Sequence, residues 1–396
     1  MDFWLRANAA RAGVRGGEDM STSSGKKLFT AVQLGAISLK HRVVMAPLTR
    51  SRSEQPGNNP GALMAEQYGQ RASDGGLLIS EATNISPSSR GWYAAPGLYT
   101  AEQVEGWRKV LAAVHAKGGL MFAQLWHTGR ASHVENSGGV TPVSASVNPE
   151  YWQDETKLVS TPTGWKQPSP HRALEIGEIP GIVEDYRKAA ENAKAAGFDG
   201  VEVHAANGYL PAQFLENGSN HRTDEYGGSI ENRVRFLMQI VEAVVSVWGG
   251  DRVAVRIAPG GTWNGMSDSD PAALYGYVAE QLNRFGLAYL HVVEPRVKGN
   301  IVIGEDKGPV AAEQLRKIFT GKIIAAGGFE PETAEAVVAK GDADAVAFGR
   351  HFIANPDLPK RIQEGLPLTP YDRNTFYTFA PKGYVDYPDY EALVTA

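Results

Sequence analysis

The chain has no cysteine in 396 residues, which excludes disulfides, thiolate metal sites, iron–sulfur clusters and a cysteine nucleophile together. None of its 44 glycines forms a G-x-G tripeptide, so the glycine fingerprint of an open dinucleotide-binding sheet is missing. The nine histidines include no H-E-x-x-H or other zinc spacing, and no metal site is expected. A strong excess of either charge is also missing. The net charge of -5 offers no basic stripe for nucleic acid, and no apolar run is long enough to span a bilayer. Residues 1–25 carry Arg6, Arg11 and Arg15 but no apolar stretch of secretory length. A second methionine, Met20, precedes a Ser/Gly-rich link to Lys26. This segment reads as a disordered N-terminal arm or an upstream-start artefact rather than a targeting peptide, and the expected compartment is the cytoplasm.

What is present suits one large core, with 42% hydrophobic and 21% charged residues. Eight short apolar runs alternate with amphipathic stretches: Arg42–Pro47, Gly76–Thr83, Gly119–His127, Phe198–Ala206, Arg252–Pro259, Leu287–Glu294, Lys322–Gly328 and Ala345–Arg350. Runs such as Val43-Val44-Met45 suit parallel strands buried on both faces. Thr100 and Gln103 form a capping-box pattern, and Glu330-Pro331 and Asn355-Pro356 place proline as the first helical residue. Leu237, Ile240, Val241, Val244, Val245 and Trp248 fall on one helical face. Strict alternation predicts an α/β fold, a single (β/α)8 TIM barrel over 26–396, with a long capping insertion at 128–177 after strand 3. An open doubly wound sheet is the rival.

Chemistry in such barrels sits at the C-terminal ends of the strands. Strand five carries Arg256 between Val255 and Ile257, and a buried guanidinium needs a partner. That partner is either Glu202 on the neighbouring strand, in a structural ion pair, or an anion bound in the barrel mouth. Gln124 in strand three could read a heterocycle edge or be a satisfied core amide. Gly327-Gly328 and Gly349-Arg350, after strands seven and eight, suit a phosphate. His204 and Asn207 follow strand four, and a helical turn there would aim both side chains one way, as two donors for one oxygen. Tyr209 could deliver a proton. His115 reads as a surface residue. A flavin-independent lyase and a non-catalytic binding protein remain as other classes.

At these residues the chain resembles the Old Yellow Enzyme family of FMN-dependent ene reductases, including N-ethylmaleimide and oxophytodienoate reductases. The likeness runs from about Leu28 to Tyr390. It is carried by Met45-Ala46-Pro47-Leu48-Thr49-Arg50, Ala123-Gln124-Leu125-Trp126-His127-Thr128-Gly129-Arg130, His204-Ala205-Ala206-Asn207-Gly208-Tyr209, Thr223 to Ser229 with Asn232-Arg233, and Ala347-Phe348-Gly349-Arg350. The resemblance implies a bound FMN, with NADPH or NADH as reductant, and a small enone, maleimide or nitro substrate, in a monomer or weak homodimer. Pro47, Thr49, Ala82, Gln124 and Arg256 would contact the flavin ring, and Ala326, Gly327, Gly349 and Arg350 its phosphate. His204 and Asn207 would bind the substrate oxygen, with hydride transfer from flavin N5 and proton donation by Tyr209. Trp92, Trp126 and Tyr377 would line the substrate side. Trp92 departs from the tyrosine that relatives often carry there, which removes a phenolic hydroxyl.

Overall fold

The computed structural model describes residues 26–299, 301–304 and 312–395; the arm expected at 1–25 lies outside them. Eight parallel strands form the centre: β1 (Val43–Met45), β2 (Leu77–Ile79), β3 (Leu120–Trp126), β4 (Gly200–Ala205), β5 (Val253–Ile257), β6 (Tyr289–Val293), β7 (Ile323–Ala326) and β8 (Ala345–Phe348). Each pairs in parallel with the next, β8 pairs with β1 and β3 with β4. The sheet therefore closes, as the alternation of runs predicts. The expected second strand is broken: β2 ends at Ile79, and after Ser80-Glu81-Ala82 the chain pairs again as Thr83–Asn84 beside Leu125–Trp126.

A helix follows each strand: α1 (Ala62–Arg71), α2 (Ala101–His115), α3 (Ile179–Ala196), α4 (Ile230–Trp248), α5 (Pro271–Leu282), α6 (Ala312–Leu315), α7 (Pro331–Lys340) and α8 (Leu358–Glu364). The local signals explain their starts. Thr100 accepts from the Gln103 amide in a reciprocal capping box, Ser229 caps α4, and Glu330 with Thr333 caps α7. On α4, Leu237, Ile240, Val241 and Val244 are fully buried, while Val245 and Trp248 pack at the edge of the core. One expected start is wrong. Pro356 lies ahead of α8, which begins at Leu358 after Asp357. Asn355 instead ties two segments together, donating to the His351 and Thr369 carbonyls and accepting from the Thr369 amide.

Residues alternate along the strands. Val201, Val203 and Ala205 of β4 face the helices, with Val253, Val255 and Ile257 of β5. The barrel interior is filled below by Val44, Ile79, Phe122, Ala254, Tyr289, Ile324 and Ala345. An antiparallel hairpin, Val32–Leu34 with Ile37–Leu39, buries its apolar side against this layer and forms a floor. Above it, inward positions become polar. Between β3 and α3 the chain adds a short helix Pro149–Gln153, a hairpin Val159–Thr161 with Gly164–Lys166, and the paired segments Val143–Ser144 and Arg172–Ala173.

Candidate active site

The inward positions of β3 to β6 place Gln124, Glu202, His204, Arg256 and His291 in one buried layer. Glu202 lies level with Gln124 across β3–β4, and His204, Arg256 and His291 are level across β4, β5 and β6. Gln124 Nε2 donates to Glu202 Oε1 at 2.8 Å. His291 Nδ1 donates to Glu202 Oε2 at 2.9 Å, with both side chains fully buried. Glu202 is thereby occupied on both oxygens, and the ion pair to Arg256 weighed above is not formed. Arg256 Nε has no hydrogen-bond partner. A buried guanidinium nitrogen without a protein partner is costly, which suits a site for an anion or an electron-rich group. Burial disfavours the Glu202 carboxylate, but His291, Arg256 and Gln124 together hold its pKa below the ordinary value.

His204 and Asn207 do converge, by a different route from the expected helical turn. His204 is still within β4, and Asn207 follows the strand in a left-handed turn at φ 57°, with Gly208 at φ 71°. A non-glycine residue in that region needs support. Asn264, on the loop after β5, donates from Nδ2 to the Asn207 carbonyl at 3.0 Å. A side chain at Gly208 would meet Asn264, Met266 and the Trp263 carbonyl at 2.7–2.8 Å. His204 Nδ1 accepts from the Ala206 amide at 3.4 Å, which leaves the proton on Nε2 as a donor. Burial, then Arg256 and His291, push its pKa well down, so the ring stays neutral. Tyr209 stands at the N-cap position of the next short helix, Leu210–Leu215. Its ring meets the His204 and Trp126 rings edge-on, each at 5.0 Å.

A cavity of about 470 Å³ opens over this layer, at the C-terminal ends of the strands. Pro47, Thr49, Ala82, Gln124, Arg256, Ala326, Gly327, Gly349 and Arg350 all line it, as do His204, Asn207, Tyr209, Trp92 and Tyr377. Gly327 and Gly328 have φ 109° and 68°, conformations that glycine takes without strain. At Gly349 a Cβ would lie 3.1 Å from Leu48. Trp126 does not line the cavity; it is fully buried behind Tyr209, in a cluster with Ala82, Ala131 and Tyr151.

Three further features were missed from the sequence. His291 interrupts the apolar run Tyr289–Val293 as Arg256 interrupts its own strand, and the same signal could have found it. Trp165, on the hairpin, is 48% exposed and also lines the cavity. It meets Trp92 edge-on at 5.4 Å and Tyr377 at 5.9 Å, and Trp92 meets Tyr377 at 5.2 Å. No local pattern could have assembled these three rings. Arg50 and Arg52 bring in the C-terminal segment: Arg50 donates to the Phe376 and Gly383 carbonyls, and Arg52 to those of Thr375 and Phe376. Among the described residues no cluster of histidines and carboxylates could hold a metal, and no helix is long and apolar enough to cross a membrane.

Known proteins share this architecture along nearly the whole chain. The model of the NADH:flavin oxidoreductase / NADH oxidase family matches residues 27–369. The 12-oxophytodienoate reductase 1 of Oryza sativa subsp. japonica is 47% identical over 369 residues, covering 92% of this chain and 94% of that protein. The 12-oxophytodienoate reductase 2 of Arabidopsis thaliana is 45% identical, covering 92% and 96%. The structure of morphinone reductase in complex with tetrahydroNAD superposes with a TM-score of 0.85 at 50% identity, over 91% of this chain and 97% of that one. The old yellow enzyme homologue from Zymomonas mobilis gives 0.86 at 44% identity, over 91% and 99%. A closed barrel with these strand-end residues, matched in sequence and in structure, belongs to the NADH:flavin oxidoreductase / NADH oxidase family, the Old Yellow Enzyme family, and the chain is an FMN-dependent oxidoreductase.

Proposed function

We propose that this enzyme reduces the C=C bond of α,β-unsaturated carbonyl compounds, with maleimides, nitro compounds and nitrate esters as related acceptors. Either NADPH or NADH serves as reductant. The observation that carries the reading is the neutral, Nε2-protonated His204 beside Asn207 and Tyr209 at the wall of a cavity floored by an unpaired Arg256. Relatives named for reducing oxophytodienoate and morphinone support it, and the morphinone reductase complex with tetrahydroNAD supports a nicotinamide reductant.

The residues fit FMN in kind: Arg256 Nε is buried without a protein partner, and the turns at Gly327-Gly328 and Gly349 leave backbone room for a phosphate. Pro47, Thr49, Ala82, Gln124 and Arg256 would hold the ring, and Ala326, Gly327, Gly349 and Arg350 the phosphate. When bound, FMN supplies two-electron transfer between a reduced nicotinamide and an activated double bond.

The protein's own part is polarisation and proton supply. His204 and Asn207 donate to the substrate's carbonyl or nitro oxygen, on which negative charge grows in the transition state. Donors fixed before that moment stabilise the transition state more than the bound alkene. Tyr209 holds its proton because burial raises its hydroxyl pKa, and it hands that proton to the α-carbon. Segment 128–177 acts as a cap, with Lys157, Leu158 and Trp165 of this segment among the residues lining the cavity.

The purified protein should be yellow and should consume NADPH or NADH on addition of cyclohexenone or N-ethylmaleimide. A flavin-loaded protein that oxidises neither nicotinamide in the presence of any enone, maleimide or nitroalkene would overturn the proposal.

A further inference from the structure

Beneath the cavity, Glu202 and His291 are fully buried and touch none of the space a substrate could reach. Yet they neighbour the two groups level with them, Gln124 and Arg256, that do line it. A glutamine amide has two ends of nearly equal shape and opposite hydrogen-bonding sense. A carboxylate can only accept, so Glu202 Oε1 selects the NH2 end of Gln124 at 2.8 Å and turns Gln124 Oε1 away from itself. The second consequence concerns charge. Glu202 is the carboxylate on the strand next to Arg256, but its other oxygen is taken by His291 Nδ1 at 2.9 Å. Arg256 Nε has no partner, and the guanidinium is not cancelled by a close ion pair. Removing the competing donor would leave Glu202 free to close on Arg256, since the attraction between two charges inside the barrel is only weakly screened.

We infer that Glu202 and His291 are positioning residues for the flavin: Glu202 fixes Gln124 with its acceptor end toward the ring, and His291 keeps Glu202 off Arg256, so that the cation meets the electron-rich end of the reduced cofactor. This rests on the reading that FMN lies against Gln124 and Arg256. The two residues touch neither substrate nor cofactor, and their effect appears in the relative stability of reduced and oxidised flavin.

The test is the midpoint potential of bound FMN in the holoenzyme, measured by equilibration with a reference dye. Two variants pull in opposite directions. His291→Leu frees Glu202 to pair with Arg256 and should lower the potential, with at least a tenfold loss of relative affinity for reduced FMN, about 30 mV for a two-electron couple. Glu202→Gln keeps the shape, removes the negative charge beside Arg256 and should raise it. His291→Gln, which can still donate to Glu202, should restore a value near that of the unmodified enzyme. Should His291→Leu fail to fold, the rise in Glu202→Gln alone decides. Unchanged potentials in Glu202→Gln and His291→Leu, or shifts of one sign in both, overturn the inference. Arg256→Met separates the two readings. If it too leaves FMN bound at an unchanged potential, the placement of the cofactor is wrong; if it lowers the potential while the other variants do not move it, only the roles of Glu202 and His291 fail.

Discussion

The layer inside the barrel and the aromatic rim above it are built on opposite terms. Gln124, Glu202, His204, Arg256 and His291 sit on adjacent parallel strands, where register fixes their neighbours. Trp92, Trp165 and Tyr377 come from three separate segments outside the barrel strands and meet only edge-on, with Trp165 half exposed. The interior is rigid because each strand is paired on both sides, which suits groups that must be aimed before charge develops. The rim has few such constraints. Its hairpin is fastened by Glu135, which pairs with Lys166 and accepts from Thr163 Oγ1. Polarity is fixed on the strands; under the proposed function, discrimination among substrates would fall to the loops.

Replacing His204 strikes the interior most directly. His204→Ala should lower the rate of enone reduction by roughly 3 kcal/mol of barrier, a hundredfold or more, and weaken phenol binding while FMN stays bound. Titration of the flavin absorbance with a phenol checks both at once; flavin loss with unchanged phenol affinity would reverse the division of roles. Gly208→Ala tests the turn between the two regions. Its positive φ and the contacts at 2.7–2.8 Å should cost about 1–3 kcal/mol, seen as a lower melting temperature together with weakened phenol binding. At the rim, Trp165→Ala should reduce the preference for large ring substrates over cyclohexenone by about tenfold or less, since an edge-on aromatic contact contributes about 0.5–1.5 kcal/mol beyond its burial. Equal loss for large and small enones would assign Trp165 to the fold rather than to selection.

A separate effect is one of pH. Glu81, after β2, accepts from the Arg50 and Ser51 amides, and burial raises its pKa to about 7. A carboxyl raised on folding favours the native state when protonated. Its contribution is therefore complete below the unfolded value and fades as pH rises toward 7. Melting temperature should fall across that window, and Glu81→Gln, which can still accept both amides, should flatten its part of the slope. An unaltered slope would remove Glu81 from the linkage.

Much of the interior was legible beforehand for one reason. A polar side chain within an apolar strand is costly, so Arg256 and Gln124 stand out, and His291 stands out equally once looked for. The pairing of His204 with Asn207 was legible as composition but not as geometry. The left-handed turn that joins them depends on Asn264, 57 residues away. The choice between an ion pair and an unpaired cation at Arg256 could not be read at all, because it turns on which of two donors reaches Glu202 first. Trp126, adjacent in sequence to the site, was expected at its surface and is packed behind Tyr209 instead.

By itself the sequence determined the alternation of eight strands and helices, the absence of thiol chemistry, and the residues at the strand ends. These follow from periodicity and composition, which act over a few residues. Only the tertiary structure decided that Glu202 answers to His291 rather than Arg256, that Asn264 holds Asn207, and that Trp165 joins Trp92 and Tyr377 at the mouth. Each of those contacts spans dozens of residues or more, and is set by strand register and loop packing.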